Sequence, residues 1–385
     1  MANSLDDRVD TGLLFEPFNL AGCEIPNRIV MAPMTRFFTE DNGILAASAI
    51  DYYRRRAEGG IGLILTEGIA TSDLAAQCAQ VPKIEPGPGF DRWKMVVDAV
   101  HQQGTRIMAQ LWHTGLGRVQ ATSRDPSVLS VGPMADYLPE GSPLIASGGN
   151  AGPGRAMTEA DIAATIEEFA VAAERCQQAG FDGVQLHAAH GYLFDQFFWT
   201  ETNRRTDGYG GDVIGRTRLA VEVIREIRRR VGPDFPIGLR YSQWKLPAHY
   251  GVKPCRTPEE LESFLAPIVG AGVDFLDAST RRFWEPAFEG SPLTLAGWTR
   301  KLTGVPTMAV GSIGLSGAFV PYDEKEHAAP DVDIGRIAGM IQREEADMIM
   351  VGRALITNPD WANKVRDGRA AELVAYDIAA LADHF

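Results

Sequence analysis

Short, almost continuously apolar runs recur along the chain, and most are followed by a stretch whose apolar residues repeat at helical spacing. Runs of this length without alternating polar positions are typical of strands covered on both faces, as in a parallel sheet. The pattern therefore predicts eight buried strands, at Arg28–Thr35, Gly62–Gly68, Arg106–His113, Gly183–Ala189, Pro236–Ser242, Val273–Thr280, Pro306–Ile313 and Ala346–Ala354.

The clearest helical stretch is Thr158–Gln178, because Thr158 can cap its first turn and Gly180 follows its end. A threonine followed by a proline opens another stretch, which is a strong start signal for a helix. The same spacing predicts helices at Ala47–Glu58, Phe90–Gln103, Val213–Val231, Thr257–Val269, Ile334–Gln342 and Asp360–Val365, and a helical tail at Ala370–Ala382.

Eight strands that alternate with helices indicate an α/β fold, a (β/α)8 TIM barrel. A doubly wound open sheet is the alternative, but no GxGxxG motif follows the first strand. We expect one domain over residues 1–385. Within it, residues 114–157 are rich in Gly, Pro and Ser and should form a capping insertion after the third strand. The first thirty residues should close the base of the barrel.

Composition narrows the class of protein. The chain is 45% hydrophobic and 23% charged, with a net charge of −13, which argues against nucleic acid or an anionic membrane as a partner. Its four cysteines are scattered, and its first ten residues are acidic and polar, unlike a secretory signal. No apolar run approaches membrane-spanning length. These features predict a cytoplasmic globular enzyme.

Active sites of such barrels lie at the carboxyl ends of the strands. The fourth strand delivers His187, His190 and Tyr192 there within six residues. Imidazoles can donate hydrogen bonds to a carbonyl oxygen or bind a metal, and a phenol can donate a proton. The run therefore predicts a site that polarises a substrate and protonates it.

The loops after the seventh and eighth strands are the usual phosphate site of these barrels. Gly311-Ser312 and Gly352-Arg353 stand at those positions. Glycine lets backbone N–H groups approach an anion, and arginine adds a permanent charge. These positions predict a phosphorylated substrate or cofactor, and the alternative is ordinary turn glycines beside a surface arginine.

Several segments in this order resemble the old yellow enzyme family of FMN-dependent ene-reductases, from about Leu14 to Pro359. The segments are NRIVMAPMTR (27–36), TEG (66–68), QLWHTG (110–115), GVQLHAAHGYLFDQF (183–197), TNRRTDGYGG (202–211), LRYS (239–242) and VGRALITNPDW (351–361). The resemblance implies that FMN takes hydride from NADPH or NADH. It also implies that electron-poor alkenes, the α,β-unsaturated carbonyl or nitro compounds, are then reduced at C=C.

The resemblance assigns residues to the flavin. Thr35 would bond near the flavin O4, Gln110 would bind the pyrimidine edge, and Arg240 would lie beside N1 and O2. For Arg240 an interior ion pair with Asp277 is the alternative, and for Thr35 it is a plain strand position. The full predicted flavin set is Pro33, Met34, Thr35, Gly68, Gln110, His187, Arg240, Gly311, Ser312, Gly352 and Arg353.

On the substrate side, the resemblance implies that His187 and His190 bind the substrate oxygen and that Tyr192 protonates the α-carbon. Threonine at 35 and histidine at 190 are similar to one subgroup of the family. Trp112 would line the substrate site, and weaker candidates for its apolar walls are Phe37, Phe283 and Trp284. The loops Trp244–Cys255 and Gly314–Asp331 differ from familiar members, which leaves substrate range and nicotinamide preference open.

Three other functions remain alternatives. A metal-dependent hydrolase or lyase could use His187 and His190 with His113 or Asp277, although a metal is not expected. A phosphosugar isomerase or aldolase could use Lys245 or Glu67. A non-catalytic flavin binder would have no use for Tyr192. The chain has no cysteine cluster after the barrel, so FMN alone is expected, and a homo-oligomer remains possible.

Overall fold

A computed structural model describes residues 9–138, 154–245, 253–317 and 327–382. Its centre is a closed barrel of eight parallel strands, in which the eighth strand pairs with the first through Val351 and Met31. The open-sheet alternative is therefore wrong, and the (β/α)8 barrel is confirmed. In chain order the barrel strands are Ile29–Met31, Leu63–Ala70, Arg106–Trp112, Val184–His187, Ile237–Ser242, Phe275–Ser279, Thr307–Val310 and Met348–Val351.

Helices follow the strands around the outside of the barrel, and those that the pattern predicted, apart from the tail Ala370–Ala382, are present with ends shifted by at most two residues. Three more are Leu193–Phe198, Leu295–Thr303 and Ala354–Thr357, all shorter than ten residues, so their periodicity is weak in the sequence. The predicted helices are observed at Ser48–Glu58, Pro88–His101, Glu159–Ala179, Val213–Val231, Pro258–Val269, Ile334–Gln342 and Trp361–Arg366.

The long helix Glu159–Ala179 begins as its sequence predicts. The Thr158 hydroxyl accepts the Asp161 N–H, and the Asp161 carboxylate accepts the Thr158 N–H, so a full capping box forms. Two otherwise unsatisfied donors of the first turn are satisfied in this way.

The predicted helical tail Ala370–Ala382 is wrong. The segment forms a 3-10 turn, a two-residue strand Tyr376–Asp377 paired with His327–Ala328, and a second 3-10 turn, Ile378–Ala382. Tyr376 is 1% exposed, and the Arg353 guanidinium lies over its ring at 5.6 Å. Burial of this one aromatic side chain outweighs the helix propensity of the alanines around it.

The base of the barrel is closed by a hairpin, as expected for the residues that precede the first strand. Strand Phe18–Leu20 pairs with Cys23–Ile25 in an antiparallel register. Leu20 and Ile25 are buried in one cluster with Phe275 and other side chains that fill the lower barrel. Solvent is thereby excluded from that end, and the carboxyl ends of the strands form the open end.

The predicted capping insertion, residues 114–157, starts at that open end because it follows the third strand, and its capping role stays a prediction. Its described part includes the parallel pair Ser130–Gly132 and Gly154–Ala156. Residues 139–153 of it lie outside the described residues, as do 246–252 and 318–326 of the two loops that were expected at the mouth. Within the described ranges, no helix combines the length and the apolar character needed to cross a membrane.

Gly238 tests the packing inside the barrel. A Cβ atom at this position would lie 2.1 Å from the ring of Phe275, which is fully buried and has no space to move into. We expect Gly238→Ala to lower the free energy of unfolding by about 1–3 kcal/mol, measured by urea denaturation.

Gly335→Ala is the matched control, because its Cβ would meet only Asp333 at 3.6 Å. That change should be neutral or slightly stabilising, by up to about 1 kcal/mol. Equal losses in both variants would contradict the packing argument.

Candidate active site

A cavity of about 390 Å³ opens at the carboxyl ends of the barrel strands, within the size range of small-molecule sites. All but one of the predicted site residues line it, although they come from six different strands. Those on its wall are Pro33, Met34, Thr35, Gln110, Trp112, His187, His190, Tyr192, Arg240, Gly311, Ser312, Gly352 and Arg353.

Gly68 is the predicted residue that does not line this cavity. A Cβ at Gly68 would lie 2.5 Å from the Trp112 ring, so the glycine makes room for the tryptophan. The weaker candidates Phe37, Phe283 and Trp284 are also not among the described wall residues, and Phe37 is 45% exposed. Their assignment to the substrate site is therefore not supported by their positions.

The turn after the fourth strand brings three functional rings together. The centroids of His187 and His190 are 5.1 Å apart, and His187 and Tyr192 are also 5.1 Å apart. Trp112 packs edge-on against Tyr192 at 4.9 Å. His190 has a φ of 63°, an uncommon conformation for a residue other than glycine. The tight turn that it forms directs both imidazoles to one wall.

Both imidazoles are neutral. Burial lowers the pKa of His187 well below its usual value, and Arg240 beside it lowers that pKa further. Burial also lowers the pKa of His190, with His187 adding to the effect. The His187 Nδ1 accepts the Ala189 N–H at 3.4 Å, so the ring proton is on Nε2. His187 therefore acts as a neutral hydrogen-bond donor.

His190 is held by the neighbouring strands. Its Nε2 lies 2.8 Å from the Ser279 hydroxyl, and its backbone N–H donates to the Ser242 hydroxyl at 3.1 Å. Trp244 packs on its ring at a centroid distance of 4.4 Å. The imidazole orientation is thus fixed from the fifth and sixth strands.

A buried ion pair supports this turn from behind. The Asp195 carboxylate accepts the Gly191 N–H at 2.6 Å and pairs with the Lys245 ammonium. Both side chains are at most 2% exposed, and neither belongs to the described cavity wall. Lys245 is therefore not placed to form a Schiff base with a ligand in the cavity, as the aldolase alternative would need.

Glu67 supports the first strand end in a similar way. Its carboxylate accepts the Arg36 N–H at 3.1 Å, and the residue is 1% exposed. Burial raises the pKa of Glu67 to about 7, against the hydrogen bonds and the Arg36 charge that lower it. The side chain lies behind the wall formed by Pro33–Arg36, so it is not a general base for a ligand in the cavity.

Arg240 lines the cavity. It also forms the interior ion pair with Asp277 that the sequence offered as the alternative to a flavin contact. Its Nε donates to the Asp277 Oδ2 at 2.6 Å. Gln185 donates to the same oxygen at 3.0 Å, and Gln110 donates to the Gln185 Oε1 at 2.7 Å. A continuous polar chain therefore joins Gln110 to Arg240 across four neighbouring strands.

The cavity is cationic although the chain is acidic. Its described wall carries no carboxylate and includes four arginines, Arg36, Arg240, Arg281 and Arg353. Gly311 belongs to the same wall, and a Cβ there would lie 2.6 Å from the Thr280 hydroxyl. The glycine allows the backbone to approach a ligand closely, and Arg281 and Arg353 carry positive charge for a phosphate. The apolar side chains of the wall suit a flat ring. The residues present therefore fit FMN.

Sequence reasoning missed part of this wall. Arg281 follows the sixth strand, where only Asp277 and Ser279 were considered. Tyr376 and Leu381 come from the segment that was predicted as a helical tail. For the tail, the available signal was Tyr376, a single tyrosine in an alanine-rich stretch. A single tyrosine does not indicate which surface the segment packs against.

The metal alternative requires a cluster of ligands. Among the residues that the structure describes, no group of three or more His, Cys, Asp or Glu side chains is placed to bind a metal ion. His113 has its Nδ1 occupied by the Gly115 N–H, and Asp277 is engaged with Arg240. The described residues thus give no support to a metal-dependent hydrolase.

Residues 13–260 match the NADH:flavin oxidoreductase / NADH oxidase family. The chain belongs to this family. It is 33% identical to the NADH oxidase of Thermoanaerobacter brockii over 94% of this chain and 52% of that protein. It is 32% identical to the chanoclavine-I aldehyde reductase fgaOx3 of Penicillium roqueforti (strain FM164), over 95% and 92% respectively. The chain thus spans about half the length of the first relative and nearly all of the second.

Solved structures agree with this assignment. Morphinone reductase in complex with tetrahydroNAD superposes with a TM-score of 0.77 at 28% identity, covering 96% of this chain and 93% of that one. Old Yellow Enzyme from Pichia sp. AKU4542 gives 0.75 at 28% identity, covering 98% and 91%. The resemblance to the old yellow enzymes is confirmed. The protein is an oxidoreductase of this family, with FMN and a reduced nicotinamide as cofactors. Its histidine/histidine subgroup stays a prediction.

Glu67 makes the stability of this family member depend on pH. Its pKa is raised from an ordinary 4.5 to about 7, so the folded protein keeps a proton that the unfolded chain loses. Stability should therefore fall as pH rises through this window and level off above it. Between about pH 5 and pH 8, the free energy of unfolding of the wild type should fall by roughly 2 kcal/mol more than that of Glu67→Gln, which cannot titrate at this position. Urea unfolding at both pH values measures it, and the exposed Glu262 provides a control as Glu262→Gln. An unchanged pH dependence in Glu67→Gln would contradict the shift.

Proposed function

We propose that the protein is an ene-reductase that reduces the activated C=C bond of α,β-unsaturated carbonyl or nitro compounds. The observation that carries the proposal is the wall formed by His187, His190 and Tyr192, where two neutral imidazoles stand beside a phenol. Hydrogen-bond donors for an oxygen and a proton donor for a carbon are the groups that this reduction needs. FMN would take hydride from NADPH or NADH and pass it to the substrate β-carbon, in a ping-pong sequence.

His187 and His190 bind and polarise the substrate oxygen in this proposal. The His187 Nε2–H is the donor that its tautomer provides. The His190 Nε2 is engaged with the Ser279 hydroxyl and Trp244 packs on its ring, so the donor that His190 would offer the substrate oxygen is Nδ1–H, with Nε2 accepting the Ser279 proton. Donors held in place before the reaction stabilise the negative charge that develops on the oxygen. The β-carbon thereby becomes more electrophilic.

Tyr192 supplies the proton to the α-carbon. Its ring packs edge-on with both Trp112 and His187, at centroid distances of 4.9 and 5.1 Å, so the phenol has a defined position on the cavity wall. Protonation from this wall would complete the reduction on the face opposite to the hydride. Trp112 would also exclude water from the reacting carbons.

The remaining wall residues hold the cofactor. Gln110 offers an amide for the pyrimidine edge, Thr35 a hydroxyl near O4, and Arg240 a charge near N1 and O2. Gly311, Ser312, Gly352 and Arg353 would hold the phosphate, and we add Arg281 to them. Pro33 and Met34 would lie against the ring system, and Gly68 would act through Trp112.

The first experiment is the visible absorption spectrum of the purified protein, before and after anaerobic addition of NADPH or NADH. Flavin bands that bleach, and that return when 2-cyclohexenone is added without oxygen, would support the proposal. Bleaching without reoxidation by the enone would remove the alkene-reducing step and leave a flavin reductase. A protein that neither contains nor takes up FMN would contradict the cofactor assignment.

Tyr192→Phe separates the two halves of the reaction. Loss of the proton donor should slow reoxidation by the enone by about 10²–10⁴-fold and leave flavin reduction by NADPH nearly unchanged. Stopped-flow absorbance measures each half separately. Tyr241→Phe is the control, because that phenol is buried outside the described cavity wall. Its hydroxyl forms a hydrogen bond of 2.6 Å with the Thr299 hydroxyl. Equal slowing of both halves in Tyr192→Phe would contradict its role as proton donor.

A further inference from the structure

Asp277 is a buried carboxylate to which the proposed chemistry gives no task. It belongs to the sixth strand, is 0% exposed, and lies behind the described cavity wall. Its Oδ2 accepts hydrogen bonds from both the Arg240 Nε at 2.6 Å and the Gln185 amide at 3.0 Å. Its Oδ1 has no hydrogen-bond partner among the residues that the structure describes.

The contacts of Asp277 favour its charged form. Two N–H donors meet on one oxygen, and one of them belongs to a guanidinium, so the arrangement is that of a charge-assisted pair. Burial raises the pKa of Asp277, and the adjacent Arg240 opposes that change. A protonated acid would leave the Arg240 charge buried without a counter-charge, which is strongly unfavourable.

The pair changes the field that Arg240 creates in the cavity. An isolated guanidinium acts as a full positive charge, whereas a guanidinium in contact with a carboxylate acts largely as a dipole, whose field falls off faster. Asp277 therefore removes part of the attraction that Arg240 would exert on negative charge in the cavity. Charge near the flavin N1 is one of the means by which proteins set the electronic properties of this cofactor.

We propose that Asp277 is a positioning residue that partly cancels the Arg240 charge and so keeps the midpoint potential of the bound flavin low. A lower potential makes the reduced flavin a stronger hydride donor toward an electron-poor alkene. The inference rests on the proposed placement of Arg240 beside the flavin. It adds a role for a residue that does not touch the cofactor.

The test is the midpoint potential of the FMN-loaded protein, titrated spectrophotometrically against a reference dye. Asp277→Asn keeps the shape of the side chain and removes its charge, so it should raise the potential. We expect the ratio of reduced to oxidised flavin at a fixed potential to rise about tenfold, which is about 30 mV for a two-electron couple. Arg240→Gln should lower the potential, because it removes the opposite charge.

Asp274→Asn is the matched control. Asp274 belongs to the same strand region, three residues before Asp277, and also pairs with an arginine, Arg228. Asp274 directly precedes the amino end of the sixth strand. It does not contact the hydrogen-bonded chain of side chains that includes Arg240. This variant should lose stability and keep the wild-type potential, so a general effect of losing a partly buried acid–arginine pair would be visible.

The double variant Arg240→Gln/Asp277→Asn keeps the proposal testable if Asp277→Asn does not fold. It leaves no unpaired buried charge, so it avoids the penalty of the single change. Its potential should lie above that of Arg240→Gln alone and near the wild-type value. Both comparisons measure the effect of the Asp277 charge, one with Arg240 present and one without it, and the second is made at alkaline pH, because a buried carboxylate without its cation takes up a proton at neutral pH.

The outcomes separate the inference from the proposed function. A potential that falls in Arg240→Gln but is unchanged by Asp277→Asn, alone or in the double variant, would overturn the inference and leave Arg240 beside the flavin. A fall in Asp277→Asn would also overturn it. If Arg240→Gln itself has no effect, the placement of Arg240 in the proposed function is wrong as well.

Discussion

Closure of the barrel by the pairing of Val351 with Met31 is the constraint on which the site depends. Because all eight strands are parallel and the ring is closed, every strand ends at the same mouth. Side chains separated by hundreds of residues then face one cavity, from Thr35 at the first strand to Arg353 at the eighth. The hairpin of Leu20 and Ile25 excludes solvent from the opposite end. Among the described residues, the interior of the barrel therefore opens at the end where the polar residues are concentrated.

This geometry leads to an unusual distribution of charge. The described wall is cationic, and three buried carboxylates lie immediately behind it, each supporting one part of it. Glu67 accepts a backbone N–H of the first strand end, Asp195 accepts one from the His187–Tyr192 turn, and Asp277 binds Arg240. Each carboxyl group accepts from a backbone donor or pairs with a cation, because an unpaired buried charge would be too costly, although the Asp277 Oδ1 has no partner among the described residues. Acidic side chains thus support the wall from behind, and none of them belongs to the described surface that an anionic ligand would contact.

The sequence alone predicted the architecture well, because continuous apolar runs and helical spacing are local signals that barrel packing reinforces. It also placed His187, His190 and Tyr192 at a strand end, where the fold concentrates chemistry. The tail around Tyr376 was missed because its alanines favour a helix, whereas the strand pairing with His327–Ala328 and the contact with Arg353 are tertiary. Arg281 was missed because a surface arginine and a ligand-binding one look alike in sequence. For Arg240, the ion pair with Asp277 is present and the side chain also lines the cavity, so the two interpretations do not exclude each other, and its place beside the flavin stays a proposal.

Because the two imidazoles are neutral, polarisation of a substrate oxygen and permanent positive charge come from different side chains of the site. A charged imidazolium would attract any anion, including phosphate, whereas a neutral N–H donor interacts most strongly with an oxygen on which charge develops. Burial and the nearby Arg240 keep His187 in this neutral form. The permanent charges are left to the arginines, which can hold a phosphate and balance an anionic ring. Reaction-dependent polarisation and permanent binding charge are therefore assigned to different side chains, although both sets share one cavity of about 390 Å³.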